Sequence, residues 1–162
     1  MKSLVPQRII CMTEETTEWL YLLGQSARIV GISGYTVRPE IARAEKPCIS
    51  AFTSAKIDKI LALEHDCVFG FSDLQADIAA TLIRHGVQVT IFNQRSVDEI
   101  FTMLYQVAAM VGEAEQGLQR INKCNFICKL SKLQPNLCRA VLVSISKNGM
   151  SHQLVRYVGS QN

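Results

Sequence analysis

The side chains able to do chemistry in this chain gather at five places, each directly after a short apolar run. They are Thr13, Glu14 and Glu15; Ser33, Gly34 and Tyr35; Phe52 and Thr53; Ser72 and Asp73; and Asn93, Gln94 and Arg95. The set is mixed polar and aromatic, with no histidine and no cysteine in it. It therefore suits holding a ligand better than nucleophilic or metal chemistry. Taken singly, Thr13, Ser72, Asp73 and Ser96 are ordinary helix caps. Their convergence on one edge is what makes a site of them.

Other chemistries find little support. Cys11 stands ahead of a helix start, a position that lowers a thiol pKa, but Glu14 and Glu15 beside it oppose a thiolate. Cys11, Cys48 and Cys67 read as small buried hydrophobes, and Cys124, Cys128 and Cys138 lack partners at zinc-finger spacing. His65 and His85 lie near helix ends, away from the five places, where imidazoles serve the helix dipole, and His152 falls in the tail. No metal site is expected. Gly31 and Gly34 do not make G-x-G-x-x-G, and no GK[ST] follows a strand, so dinucleotide and nucleotide triphosphate binding are disfavoured.

The elements that must position these residues alternate. Ile9, Ile10, Cys11 and Met12 form an apolar run without alternation, as in a strand covered on both faces. Thr13 caps the following helix, Glu14, Glu15 and Glu18 complement its dipole, Trp19, Leu20, Leu22 and Leu23 supply its buried stripe, and Gly24 ends it. A second strand is predicted at residues 28–33, loop at 37–46 and a third strand at 47–50. A helix follows through Ile57, Ile60, Leu61 and Leu63, then a strand at 67–71 and a helix at 74–85 with Ile78, Leu82 and Ile83 buried. A fifth strand is predicted at 87–92. Ser96 opens the longest helix with the capping-box pattern S-x-x-E, its apolar positions running from Ile100 through Val111 towards Leu118. This βα rhythm predicts an α/β parallel-sheet, Rossmann-like lobe followed by a long connector helix. Ligands in such sheets bind outside the carboxyl ends of the strands, which is where the five places fall.

With 162 residues the chain is large enough for one domain without disulfides. It has no apolar run of about 18 residues and no long apolar segment near its start, so neither a membrane span nor a signal peptide is expected. The net charge of +3 hides a division: residues 1–121 hold 11 Lys and Arg and all 14 carboxylates, whereas 122–162 hold 6 Lys and Arg and no carboxylate. Those cations are scattered among few aromatics, so a nucleic-acid arm is disfavoured.

Three segments carry a family resemblance: RIICMTEETTEWLYLLGQSARIVGIS, IDKILALEHDCVFGF and SDLQADIAATLIRHGVQVTIFNQRSVDEI. Over residues 6–121 the chain resembles the N-terminal lobe of cobalamin-type periplasmic binding proteins, the helical-backbone class of substrate-binding proteins for ABC importers. The resemblance implies two α/β lobes joined by one long helix, with a corrin, haem or iron chelate held between them without chemical change and without a cofactor or catalytic residues. It implies that Thr13, Glu14, Tyr35, Phe52, Ser72, Asp73, Gln94 and Arg95 line one wall of the cleft, with Tyr35 and Phe52 stacking on a planar macrocycle. Asp58 matches the acid that meets an arginine of the importer permease, although glutamate is usual there. The family's Ser-Pro after the first strand is absent, and His65 replaces a proline.

The domains expected are therefore a substrate-binding lobe at 5–95, a connector helix at 96–121 and a divergent tail at 122–162. Read one base earlier, freely chosen codons for residues 137–162 permit LPRRPRVYFQEWDEPSVSAVRWVSE, which resembles the start of the family's second lobe. The tail is thus expected to be an out-of-frame product, non-native or poorly ordered, and the binding protein truncated and impaired. The unbraced connector helix is expected to favour self-association. Localisation is expected outside the cytoplasmic membrane by resemblance, with the cytoplasm as the alternative for want of an export signal. The alternative function is a stand-alone cytosolic α/β domain, a small enzyme or regulatory module, using the same rim.

Overall fold

The computed structural model describes residues 3–50 and 55–133, with side chains through Cys124. Five strands form one sheet: β1 (Ile9–Cys11), β2 (Ile29–Ser33), β3 (Cys48–Ser50), β4 (Cys67–Phe71) and β5 (Val89–Phe92), all paired in parallel in the order β3-β2-β1-β4-β5. The helices are α1 (Glu14–Leu22), α2 (Glu40–Glu45), α3 (Ile57–Leu61), α4 (Ala76–Arg84), α5 (Val97–Met110) and α6 (Ala114–Leu133). The expected α/β lobe is present.

The unalternating runs have the predicted cause. Ile9 and Cys11 point into one core with Trp19, Leu20, Ile29, Phe69, Phe92, Leu104 and Val107, whereas Ile10, Met12 and Val68 point into a second core with Ile49, Ile60, Ile78 and Leu82. Side chains alternate across a strand, so both faces of β1 and β4 must be apolar when helices cover both. Gly70 marks the tightest packing of β4, because a Cβ there would lie 2.7 Å from Ile91 Cδ1 and 2.9 Å from Met12 Cε.

Four expectations are corrected. The helix predicted from Ser96 through Leu118 is two helices: α5 stops at Met110, Gly112 takes φ +83°, and α6 folds back onto α5. The apolar spacing runs on from Val107 and Val111 to Leu118, which is 46% exposed in the structure, so periodicity did not reveal the turn. Arg28 fixes the turn from outside, its Nη1 donating to the Val111 carbonyl at 2.9 Å, and Gln25 Nε2 donates to Glu113 Oε1 at 2.7 Å. The boundary expected after residue 121 falls inside α6, and residues 134–162, with the frame-shift reading placed on them, lie outside the described residues. The loop predicted at 37–46 contains α2, which buries only Ala42 and so shows no apolar stripe. Residues 73–75 form a 3₁₀ turn rather than the start of α4, and Ile83 is 58% exposed instead of buried.

Gly117 is where α6 meets α5. A Cβ there would lie 2.4 Å from Ala108 Cβ, and neither methyl can turn away. Gly117→Ala gains about 1 kcal/mol of helix propensity but over-packs the pair by roughly 3 kcal/mol. A net loss on the order of 1–2 kcal/mol is expected in urea unfolding. An unchanged midpoint would mean that the two helices do not press together there.

Candidate functional site

The strand order places the ends of β2, β1, β4 and β5 side by side, so Tyr35, Thr13 with Glu14, Ser72 with Asp73, and Gln94 with Arg95 follow one another along the carboxyl edge. Neighbouring strands are about 4.8 Å apart, which puts about 14 Å between the β2 and β5 ends. Phe52 and Thr53 lie outside the described residues.

At β1, Thr13 is buried and caps α1, its Oγ1 accepting from Thr16 N–H at 3.5 Å. At β2, Gly34 N–H donates to Ser50 O at 2.7 Å, and Ser33 Oγ accepts from Tyr35 N–H at 3.2 Å. The Tyr35 side chain is free to meet a ligand, the residue being 63% exposed. At β4, Ser72 is buried with φ 60° and its Oγ accepts from Leu74 N–H at 3.3 Å. Thr13 and Ser72 thus shape the edge more than they face across it. Arg95 and Asp73 are exposed and paired at 3.4 Å, and the guanidinium stands 5.9 Å from the Phe71 ring centroid. The pair is worth little in stability at such exposure. It does hold a cation and a carboxylate together at the rim.

Half-buried Gln94 lines a hollow of about 250 Å³ with Phe92, Asn93, Glu99, Thr102, Met103 and Gln106, and its Oε1 has no hydrogen-bond partner among the described residues. Ser96 caps α5 as expected, accepting from Glu99 N–H at 3.3 Å, while Glu99 Oε2 accepts from Arg95 N–H rather than from Ser96 N–H. Asp58 is exposed in the first turn of α3.

Three groups that shape the site escaped the sequence reading. Gln75 is fully buried, its Oε1 accepting from Phe71 N–H at 3.0 Å and its Nε2 donating to Met12 O at 3.3 Å, so one amide ties the ends of β1 and β4 together. Arg38 lies 3.6 Å from Glu18 and 4.0 Å from Glu14, joining the segment after β2 to α1. Burial pushes the Glu18 carboxyl up to about 7; Arg38 opposes this and the Glu14 and Glu15 charges add to it. Burial also raises Glu15. An acid on the helix's first two turns looks like dipole complementation, and nothing local distinguishes Glu18 as buried.

Burial pushes the Cys11 thiol up to about 12 against the hydrogen bonds from Thr16 and Thr17, the neighbouring acids playing no part, and Cys67 is pushed equally far by burial. Neither is a nucleophile. His85 Nδ1 lies 2.9 Å from the Thr81 carbonyl oxygen at the end of α4. Among the described residues no three metal-ligating side chains come together, and no helix is long and apolar enough to cross a membrane.

Residues 9–126 match the periplasmic binding protein family, and the chain belongs to that family. Among solved structures it is similar to the periplasmic vitamin B12 binding protein BtuF of Vibrio cholerae, with 22% identity and a TM-score of 0.71 over 80% of this chain and 51% of that one. It is also similar to a periplasmic heme binding protein from Pseudomonas aeruginosa, with 18% identity and a TM-score of 0.66 over 80% and 50% of the two chains. A possible iron-binding periplasmic solute-binding protein from Staphylococcus epidermidis gives 19% identity and a TM-score of 0.71 over 78% and 51%. The chain spans about half the length of these relatives. No curated protein matches it.

Proposed function

We propose that this chain is the ligand-holding lobe of a substrate-binding component of an ABC importer, and that it holds a planar metal chelate, cobalamin before haem or an iron chelate, without changing it. The observation that carries this reading is the exposed Tyr35 ring standing on a pinned turn at the carboxyl edge of the family's lobe. An aromatic face there suits a flat macrocycle. The β5 end lies about 14 Å along the sheet edge from the β2 end that leads to Tyr35, a span that polar arms of the same ligand can cover.

In this reading Tyr35 and Phe52 stack, Gln94, Asp73 and Arg95 meet polar substituents, Thr13, Glu14 and Ser72 shape the wall, and Asp58 meets the permease. The site of action is the periplasm, as the family's description suggests. Self-association through α5 and α6 is proposed only on their exposed apolar residues, Tyr105 and Leu118, since the apolar stripe of α5 is buried, and a monomer by sedimentation would count against it.

The test is a titration with cyanocobalamin and, separately, with hemin, followed in the corrin and porphyrin absorption bands. Saturable cyanocobalamin binding that Tyr35→Ala weakens about tenfold, or ~1.4 kcal/mol, supports the proposal. Failure of both ligands to bind, or binding indifferent to Tyr35, would overturn it.

A further inference from the structure

Beneath the exposed rim lies a buried cluster of three charges. Arg38 Nε stands 3.6 Å from Glu18 Oε1 and 4.0 Å from Glu14 Oε1, and the three side chains are only 16%, 5% and 21% exposed in the order Arg38, Glu18, Glu14. Arg38 sits four residues past Gly34, in the stretch that leads from β2 through Tyr35 and buried Thr36 to α2. That stretch is tied to the sheet at one end, where Gly34 N–H donates to Ser50 O and Thr36 N–H to Ser33 O. Further on, Tyr21 of α1 donates to Glu45 at the end of α2, at 2.8 Å. Between these ties, the guanidinium is what engages α1.

We propose that Arg38 is a positioning residue: seated between the Glu14 and Glu18 carboxylates, it clamps the Gly34–Pro39 turn to α1 and so fixes where the Tyr35 ring stands over the carboxyl edge. Burying three charges is a costly way to gain stability, since apolar side chains of similar volume do as well or better. What such a cluster supplies is a defined position, and a ring held in place loses less entropy when a ligand settles on it. Burial pushes Glu18 up to about 7, so at pH 8 the carboxylate facing Arg38 is charged.

The clamp stands independently of the proposed ligand; only its consequence for binding rests on that reading. Its test is a fluorinated tyrosine placed at position 35 and read by fluorine NMR at pH 8 in the full chain, with circular dichroism confirming the fold. The native chain is expected to give one narrow line. Arg38→Met is expected to broaden or split it, Glu18→Gln to shift it the same way, and the double variant to go no further than Arg38→Met alone. Arg38→Lys restores part of the native line, and with Glu18→Gln it carries the test if Arg38→Met does not fold. For cyanocobalamin, Arg38→Met is expected to lower affinity about tenfold, with no further loss when Tyr35→Ala is added. A fluorine line unmoved in every folded Arg38 and Glu18 variant overturns the clamp, whatever binds. A line that responds in a chain binding neither cyanocobalamin nor hemin upholds the clamp and sinks the proposed function instead.

Discussion

Trp19→Ala is expected to lower the unfolding free energy by about 3–5 kcal/mol, a third or more of the roughly 5–15 kcal/mol that holds a typical domain together. Trp19 is 3% exposed in the core shared by α1, α5 and the sheet. Its Nε1 donates to the Leu104 carbonyl of α5 at 2.8 Å, and Gly117 of α6 sits close enough that a Cβ there would be 3.7 Å from the ring. One side chain thus joins three helices. Removing it opens a cavity that rigid neighbours cannot close, and it releases α1, which carries Glu14 and Glu18 to the edge. Trp19→Phe keeps most of the volume and loses the hydrogen bond, so about 1–2 kcal/mol is expected. Trp19 is the sole tryptophan, so unfolding in urea must be followed by circular dichroism rather than indole fluorescence. A loss below about 1 kcal/mol for Trp19→Ala would show that the three helices hold together by other contacts.

The parts of this fold legible in the sequence are those governed by local rules. Strands β1 and β4 announce themselves because covering both faces demands an unbroken apolar run, and Gly24 and Gly86 mark helix ends because both take positive φ. The α5–α6 turn was hidden because Leu118 keeps the apolar spacing going across it although its side chain is exposed, while what fixes it, Arg28 and Gln25, lies more than eighty residues earlier. The hairpin is a tertiary decision. The same holds at the edge: Tyr35, Asp73 and Arg95 could be named because they follow strands, and all three are exposed there. Gln75 and Arg38 could not, because a buried amide and a buried guanidinium are recognised only through partners distant in sequence.

This division bears on how such a lobe works. The exposed side chains at the strand ends can change with the ligand at little cost, since surface pairs such as Asp73–Arg95 contribute little to stability. The residues beneath them cannot. Gln75 bridges the ends of β1 and β4, and its loss would leave the Phe71 N–H and the Met12 carbonyl without their side-chain partner. An exposed rim on a fixed polar support keeps its position when its own side chains are exchanged.

Glu18 gives that support a pH dependence whose sign is fixed. Its carboxyl is pushed from 4.5 up to about 7 in the folded chain, chiefly by burial. The native state therefore keeps a proton that the unfolded chain releases above 4.5, so the contribution to stability is complete below that pH and is lost as pH rises towards 7. At 1.36 kcal/mol per unit the full loss comes to a little over 3 kcal/mol, and about 2–3 kcal/mol is expected once the open side of the cluster near Glu14 is allowed for. Glu18→Gln keeps the shape and removes the titration. The variant is thus expected to gain about 2–3 kcal/mol on the native chain between pH 5 and pH 8, read as the change in their difference in urea unfolding free energy. Groups that do not feel Glu18 contribute equally to both chains and cancel, whereas Glu14 and Glu15, whose charges act on Glu18, respond to its removal and are part of the measured difference. A difference between the two chains that stays constant across this range would show that Glu18 is charged at both ends of it, held so by Arg38 in spite of its burial.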